Sequence, residues 1–379
     1  MKRAALRLNK IHRQGSENVS RTYRYEELLQ KTAAVLRSFG YSSEDAGLTA
    51  RVLAEAEARG VPSQGIGRLK LYRSYITDGF VKPVAKPEIV KETPVSLTID
   101  GHDGIGYPIA EFAVRHCIEK AQNSGVALCA VRRTSHYGMA GVWAEEIAAA
   151  GMIGVTMTTT KPNAMPTHGK TRMLGTNPIA VAIPAKDGAP FLLDMATTTA
   201  AFGKVRVYER TGKPLPPGWA ADMNGQPITD GTEFLRQFSS QPTLGGLVFL
   251  GGMSEEMGGH KGYGLGLLVE LLCAGLSMGG WSFHALNKAN NGGGAGISSF
   301  FAAIRMDLFG DEKLLRGHIA AILDEIRASE PAEGCSRVYI HGEKEREARE
   351  HAMTHGLVID TAASDMLEEL YAALPASEK

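Results

Sequence analysis

Two apolar, β-branched runs, residues 179–183 and 191–194, have only residues 184–190 between them. A parallel pair of strands needs a crossover of a dozen or more residues, so these two can pair only antiparallel. That spacing makes part of the sheet antiparallel or mixed and disfavours a plain doubly wound fold. Elsewhere strands and helices are interspersed: strand signals lie near 95–99, 126–131, 153–159 and 300–306, and helical periodicity covers 107–124, 138–150, 263–278 and 312–328. The class expected is mixed α/β.

Both ends of the chain read as helical. From Tyr25 to Phe39 the apolar residues Leu28, Leu29, Ala33, Val35 and Leu36 keep a helical spacing that Gly40 ends. Ser42 with Asp45 then forms a capping signal for a second helix, which stops at Arg59-Gly60-Val61-Pro62. Residues 343–351 are highly charged and read as a solvated helix. Residues 203–245, rich in Pro and Gly, and 287–296, with Asn-Asn-Gly-Gly-Gly, read as loops. A chain of 379 residues exceeds what one core usually serves, so two domains are expected. The first 21 residues carry Lys2, Arg3, Arg7, Lys10, Arg13 and Arg21 against Glu17, without an apolar signal-peptide core; they read as a flexible basic arm or an organelle transit peptide.

Lys plus Arg and Asp plus Glu both number 41, which removes the long-range positive field of a nucleic-acid binder or a membrane-surface protein. The longest apolar run, 263–278, holds Glu270 and three glycines and is shorter than the ~20 residues a bilayer span needs. Cys117, Cys129, Cys273 and Cys335 form no C-x-x-C pair and read as reduced thiols of a cytoplasmic protein. The partner expected is a small molecule.

No G-x-G-x-x-G marks a Rossmann dinucleotide site. The glycine cluster Gly258-Gly259-His260-Lys261-Gly262-Tyr263-Gly264 opens a helix, and suits either phosphate binding or close helix packing. Ser135-His136-Tyr137-Gly138 stands between a strand and a helix, so His136 is either a site residue or a structural one. Leu174-Gly175-Thr176-Asn177-Pro178 is a polar turn before a strand, and Asp194 ends a strand where it can cap a helix or accept from a cofactor hydroxyl. His102, His116, His136 and His168 lack compact metal-ligand spacing, so no metal site is expected.

These segments, with Ala58-Arg59-Gly60 and Ser63-Gln64-Gly65-Ile66-Gly67-Arg68-Leu69, occur in the order and approximate spacing of the malate/L-lactate dehydrogenase type 2 family. The resemblance runs from about Tyr25 to His351. It implies a homodimer with a non-Rossmann cofactor domain on a largely antiparallel seven-stranded sheet, flanked by helical segments from both chain ends. The division implied is 25–115 with 310–379 for substrate and dimerisation and 116–309 for NAD or NADP, after an arm over 1–24. His136 matches the catalytic histidine. Thr160, Asp194, Met195, Ala196, His260, Lys261, Gly342, Glu343 and Lys344 fall at cofactor positions. Ser63, Gln64, Arg68, Thr176 and Asn177 fall at the substrate site, with Arg68 suited to a carboxylate.

The reaction implied is interconversion of a small 2-hydroxy acid, of malate, lactate, sulfolactate or ureidoglycolate type, with its 2-oxo acid. Hydride transfer to a carbonyl carbon leaves an alkoxide that must be protonated, and histidine titrates in the right range for that. Many relatives carry histidine where this chain has Gln64, which can hydrogen-bond but cannot titrate near neutrality. The alternatives are a cyclic imino acid reductase, or a cofactor-binding protein without turnover.

Overall fold

The computed structural model describes residues 20–186, 189–289 and 292–378. Its first element, β1 (Arg21–Tyr23), pairs antiparallel with a strand near the other end of the chain. Most of the basic arm lies outside the described residues. Helix α1 (Tyr25–Ser38) buries Leu28 and Ala33–Leu36, and Gly40 ends it with φ +94°. In α2 (Ser43–Ala58) the Ser42 hydroxyl accepts from the Asp45 N–H at 3.1 Å, as the capping signal predicts. Two single turns, Pro62–Gln64 and Ile66–Arg68, lead into α3 (Leu69–Thr77).

The central sheet starts with β2 (Glu88–Thr93) and β3 (Ser96–Asp100), followed by α4 (Gly106–Ser124), β4 (Val126–Thr134), α5 (Ala140–Ala149) and β5 (Met152–Thr158). The tight pair β6 (Ile179–Ile183) and β7 (Phe191–Met195) is antiparallel, as its short connection requires. Next come α6 (Phe202–Arg210), β8 (Ala220–Ala221), α7 (Gly231–Ser240), β9 (Gly246–Leu247) and α8 (Gly259–Glu270), which continues as a π-helical turn over Leu271–Gly275. The last sheet strand is β10 (Ile297–Arg305); α9 (Glu312–Arg327), α10 (Glu343–His355), β11 (Leu357–Ile359) and α11 (Thr361–Ala372) complete the chain.

The order of the sheet is β2-β3-β4-β10-β5-β6-β7. Seven strands are as the resemblance implies, but the sheet is mixed rather than largely antiparallel: β3 and β4 run parallel. The α4 helix between them supplies the long crossover that a parallel pair needs. Strand β10 is buried from Ile297 to Ala303 because it lies between β4 and β5. Val269 and Cys273, on α8 and its π turn, pack with Met157, Phe300 and Ala302 of the sheet.

Residues 203–245 are not a loop. They include β8 and α6 and α7, whose Phe202, Val205, Phe234 and Phe238 join Leu215 and Trp219 in a small core. Each helix is apolar on one side only and closes against the other. A single larger core runs from Tyr23 through the sheet to Leu374, so both chain ends share it. The Tyr23 hydroxyl donates to Glu368 at 2.9 Å, and Arg349 binds Glu55 at 2.8 Å. No helix among the described residues is long and apolar enough to cross a membrane.

Candidate active site

The turns after α2 carry Ser63, Gln64 and Arg68. They are held from below by Glu57, whose Oε1 accepts from the Ile66 N–H at 2.8 Å. Burial pushes that carboxyl up to about 7. A Cβ at position 65 would come within 2.0 Å of the same oxygen, so only glycine lets the turn sit so close.

His136 leaves the end of β4 beside the start of α4. The Ser135 hydroxyl accepts from the Gly106 N–H at 2.8 Å, and a Cβ at Gly106 would strike the His136 backbone. The imidazole Nε2 lies 3.0 Å from Gln64 Oε1, and Nδ1 lies 2.9 Å from the Tyr72 hydroxyl. The Gly138 N–H, a donor only, points at Nδ1 from 3.2 Å. Nδ1 is therefore the acceptor, and the resting ring carries its proton on Nε2, facing Gln64. The Tyr72 and Tyr107 hydroxyls are 2.7 Å apart, which extends the chain as Tyr107, Tyr72, His136, Gln64. Burial, assisted by the Arg68 charge, holds the His136 pKa well below its ordinary value of 6.5. Burial pushes the Tyr72 phenol up to about 12, so it is a neutral hydroxyl at pH 7.

The Arg68 Nε donates to the Ser63 carbonyl at 2.7 Å. That bond orients the guanidinium, and among the described residues Arg68 pairs with no carboxylate. Its two terminal nitrogens are available to a bound anion.

Thr160 and Thr176 stand side by side: the Thr176 N–H donates to Thr160 Oγ1 at 2.9 Å. Asn177, expected at the substrate, is instead fully buried. Its Nδ2 donates to Gly266 O at 3.0 Å and Glu270 Oε2 at 2.7 Å, while Oδ1 accepts from Thr160 N and Ser282 Oγ. With its hydrogen-bonding capacity used inside the protein, Asn177 pins the turn to α8.

Asp194, at the end of β7, accepts from the Gly141 N–H in the first turn of α5 at 2.7 Å, leaving its second oxygen free. It is thus a helix-start ligand with spare capacity. Burial pushes its carboxyl up to about 6, against the pull of that N–H. Met195 and Ala196 continue the segment, and Thr197 ties it to the carbonyls of Thr176 and Asn177. Gly342, at φ +92°, packs on Leu192, which brings the next residues to β7. Glu343, expected at the cofactor, is buried and occupied by Arg327 at 2.7 Å and the Ile340 N–H at 3.1 Å. Lys344 is exposed, with its ammonium 4.7 Å from the Tyr339 ring centroid.

His260 and Lys261 lie exposed in the first turn of α8. Gly262 and Gly266 serve packing, since a Cβ would meet Leu250 at 2.3 Å and Phe249 at 2.4 Å. Histidines 102, 116 and 168 sit elsewhere: His102 beside Glu88, His116 on α4 and His168 beside Glu255. A cavity of about 330 Å³ lined by Met165, His168, Phe249 and Met253 contains none of the expected residues. Sequence reasoning missed Tyr72 and Tyr107. Tyr72 follows Arg68 by four residues, one helical turn, which was a usable signal; Tyr107 arrives from α4 and carried none.

A family model described as malate/L-lactate dehydrogenase matches residues 23–368. A malate dehydrogenase of Pyrococcus abyssi is 39% identical over 345 residues, 91% of this chain and 92% of that protein. An L-sulfolactate dehydrogenase of Methanocaldococcus jannaschii is 36% identical over 338 residues, 89% of this chain and 92% of that protein. The crystal structure of malate dehydrogenase from Entamoeba histolytica superposes with TM-score 0.89 and 30% identity, covering 94% of this chain and 100% of that one.

Proposed function

The chain belongs to the malate/L-lactate dehydrogenase family, and from that premise we propose that it interconverts a 2-hydroxy acid and its 2-oxo acid, with His136 as proton acceptor and donor. The observation that carries this reading is the junction of His136, Gln64 and Tyr72 with the unpaired guanidinium of Arg68 next to it. Bound nicotinamide, as NAD or NADP, supplies or takes the hydride.

The residues present fit such a dinucleotide without a Rossmann fingerprint. Asp194 has one free carboxylate oxygen for a ribose hydroxyl, and Thr160 and Thr176 offer hydroxyls. His260 and Lys261 sit at a helix start, where a cation and free N–H groups favour phosphate. Lys344, two residues after the Gly342 that packs on Leu192 of β7, adds a second cation; Met195 ends that strand and Ala196 follows it. In this reading residues 116–309 hold the cofactor, and 25–115 with 310–379 hold substrate and partner subunit. The homodimer is supported by apolar side chains left in solvent on two helices: Leu265 and Leu268 of α8, and Leu314, Ile322 and Ile326 of α9. Three buried free thiols suit the cytoplasm.

In the direction of oxidation, Arg68 holds the carboxylate and His136 Nε2 takes the hydroxyl proton. For Nε2 to accept, the ring must leave its resting tautomer and carry its proton on Nδ1, where the Tyr72 oxygen receives it because a phenol both donates and accepts. A depressed pKa keeps His136 neutral at pH 7 and ready as a base. In reduction the ring must be protonated first. Carboxylate bound to Arg68 offsets part of the charge that lowers the histidine pKa, so substrate itself promotes that protonation.

The test is dialysed protein with NADH or NADPH and a panel of 2-oxo acids, followed by loss of reduced-nicotinamide absorbance. Turnover is expected, and His136→Ala lowers kcat about 10²–10⁴-fold with cofactor affinity unchanged. Cofactor binding without turnover on any substrate refutes the reading.

A further inference from the structure

Glu57 lies in the last turn of α2, half-buried, and no step of the proposed chemistry uses its carboxyl. Its Oε1 accepts from the Ile66 N–H at 2.8 Å, and a Cβ at Gly65 would lie 2.0 Å from that oxygen and 2.3 Å from Cδ. The carboxyl is therefore wedged under the backbone between Gln64 and Gly67. Within that segment the Gly65 N–H donates to the Pro62 carbonyl at 3.1 Å and the Arg68 N–H to the Gly65 carbonyl at 3.2 Å, so one ladder joins positions 62 to 68. The ladder carries two side chains toward the site: the Gln64 amide, 3.0 Å from His136 Nε2, and the Arg68 guanidinium, whose Nε donates to the Ser63 carbonyl at 2.7 Å. The same turn packs on α11, where a Cβ at Gly67 would lie 3.9 Å from the Ala363 Cβ.

The surrounding charges leave Glu57 without a counter-ion. On its own helix Glu55 is taken by Arg59 and Arg349, and on α3 Lys70 is taken by Glu369. At the start of α11, Asp360 accepts from the Ala362 and Ala363 N–H groups and repels Glu57. Among the described residues no cation lies within ion-pair distance of Glu57. Burial first and then Asp360 raise its carboxyl to about 7, against the pull of the Ile66 N–H. We propose that Glu57 is a positioning residue whose ionised carboxylate clamps the 62–68 turn and so fixes where Gln64 and Arg68 meet the substrate. This rests on the dehydrogenase reading above and adds to its site a group that touches neither substrate nor cofactor. A carboxylate accepts from an N–H more strongly than a neutral carboxyl does, so the turn is tightest above neutrality and loosens as pH falls. The effect travels through the backbone. Arg68 is not among the charges that act on Glu57, so direct repulsion of a substrate anion is the smaller influence.

The experiment measures kcat and KM for malate at saturating cofactor across neutral pH, in wild type, Glu57→Gln, Glu57→Ala and Asp360→Asn, together with cofactor titration by fluorescence. Wild-type KM is expected to fall roughly three- to tenfold as pH rises from about 6 to about 8, the difference between a neutral and a charged acceptor. Glu57→Gln keeps an oxygen for the Ile66 N–H but cannot titrate, so its KM is flat with pH while kcat retains the wild-type profile. Glu57→Ala raises KM throughout and leaves cofactor affinity unchanged. Asp360→Asn still caps α11 but removes the like charge, so the KM transition moves to lower pH. A Glu57→Gln enzyme whose KM keeps the wild-type pH dependence overturns the proposal, as does a wild-type KM that is itself flat, and the dehydrogenase reading survives either result. If Glu57→Ala does not fold, Glu57→Gln still decides. A Glu57→Gln variant that loses the kcat ionisation places Glu57 in the chemistry and overturns its positioning role. Absence of oxidation of malate, lactate, sulfolactate or ureidoglycolate with either cofactor overturns both readings.

Discussion

Tyr72→Phe removes one oxygen and keeps the buried ring. That oxygen joins His136 Nδ1 at 2.9 Å to Tyr107 at 2.7 Å, so two hydrogen bonds go and the Tyr107 hydroxyl stays buried without a partner. The cost to folding is about 1–3 kcal/mol. Catalysis loses more than that figure suggests. In the protonated ring Nδ1–H needs an acceptor, and the remaining neighbour on that side, the Gly138 N–H, is a second donor. A hydrogen bond to a charged group contributes about 1.5–3 kcal/mol, so kcat falls roughly 10- to 150-fold. The Tyr72 oxygen stabilises the charged ring as an acceptor by more than it stabilises the neutral ring as a donor, so its removal moves the histidine ionisation further down, away from the ordinary value. Steady-state kinetics across pH and thermal unfolding give both readouts, with Tyr107→Phe as the control that trims only the outer link. A Tyr72→Phe enzyme with wild-type kcat and an unmoved pH profile would refute the tautomer argument outright.

Arg68→Lys keeps the charge but loses the fork, so the KM for 2-oxo acids rises with little change in cofactor affinity. Asn177→Ala strips Glu270 of a buried donor and lowers stability by about 2–4 kcal/mol in denaturant titrations, the range of a broken buried network. Asp194 is ionised above about 6 and loses acceptor capacity below it, so cofactor Kd measured by fluorescence rises as pH falls through that value. Asp194→Asn flattens this dependence. Lys261→Ala weakens nicotinamide binding by about 1–3 kcal/mol, and unchanged affinity removes Lys261 from the site.

The sheet was largely legible because its inner strands are apolar and its connections short: residues 179–183 and 191–194 could only form a hairpin. Strand β2 escaped notice because it lies at the edge, with Glu88, Lys91 and Glu92 in solvent and no apolar alternation to betray it. Helices α6 and α7 hid among prolines and glycines, since Phe202 and Phe234 reveal an apolar face only when they meet. At the site, His136, Arg68 and Asp194 stand out by residue type and position. Asn177 and Glu343 have their side chains spent on protein partners, which the sequence does not show because a polar side chain in a turn looks the same whether it faces a ligand or the interior. Tyr107 was invisible, as its partners come from α3 and β4 and no local pattern records a meeting across the fold.

The strand Arg21–Tyr23 is zipped to Leu357–Ile359, and Tyr23 reaches Glu368 across 345 residues of sequence. A ribosome making this protein from its N-terminus releases α1 and α2 long before their partners α10 and α11 exist. The layer that carries Gln64 and Arg68 must therefore wait, while neighbouring strands such as β3 and β4, or β5, β6 and β7, can already pair before β10 joins them. Closing so long a loop costs entropy that grows only slowly with length, but it delays the step. Maturation of activity during synthesis should accordingly be a late, nearly all-or-none event, set by emergence of the last fifty or so residues from the ribosome rather than by formation of the sheet.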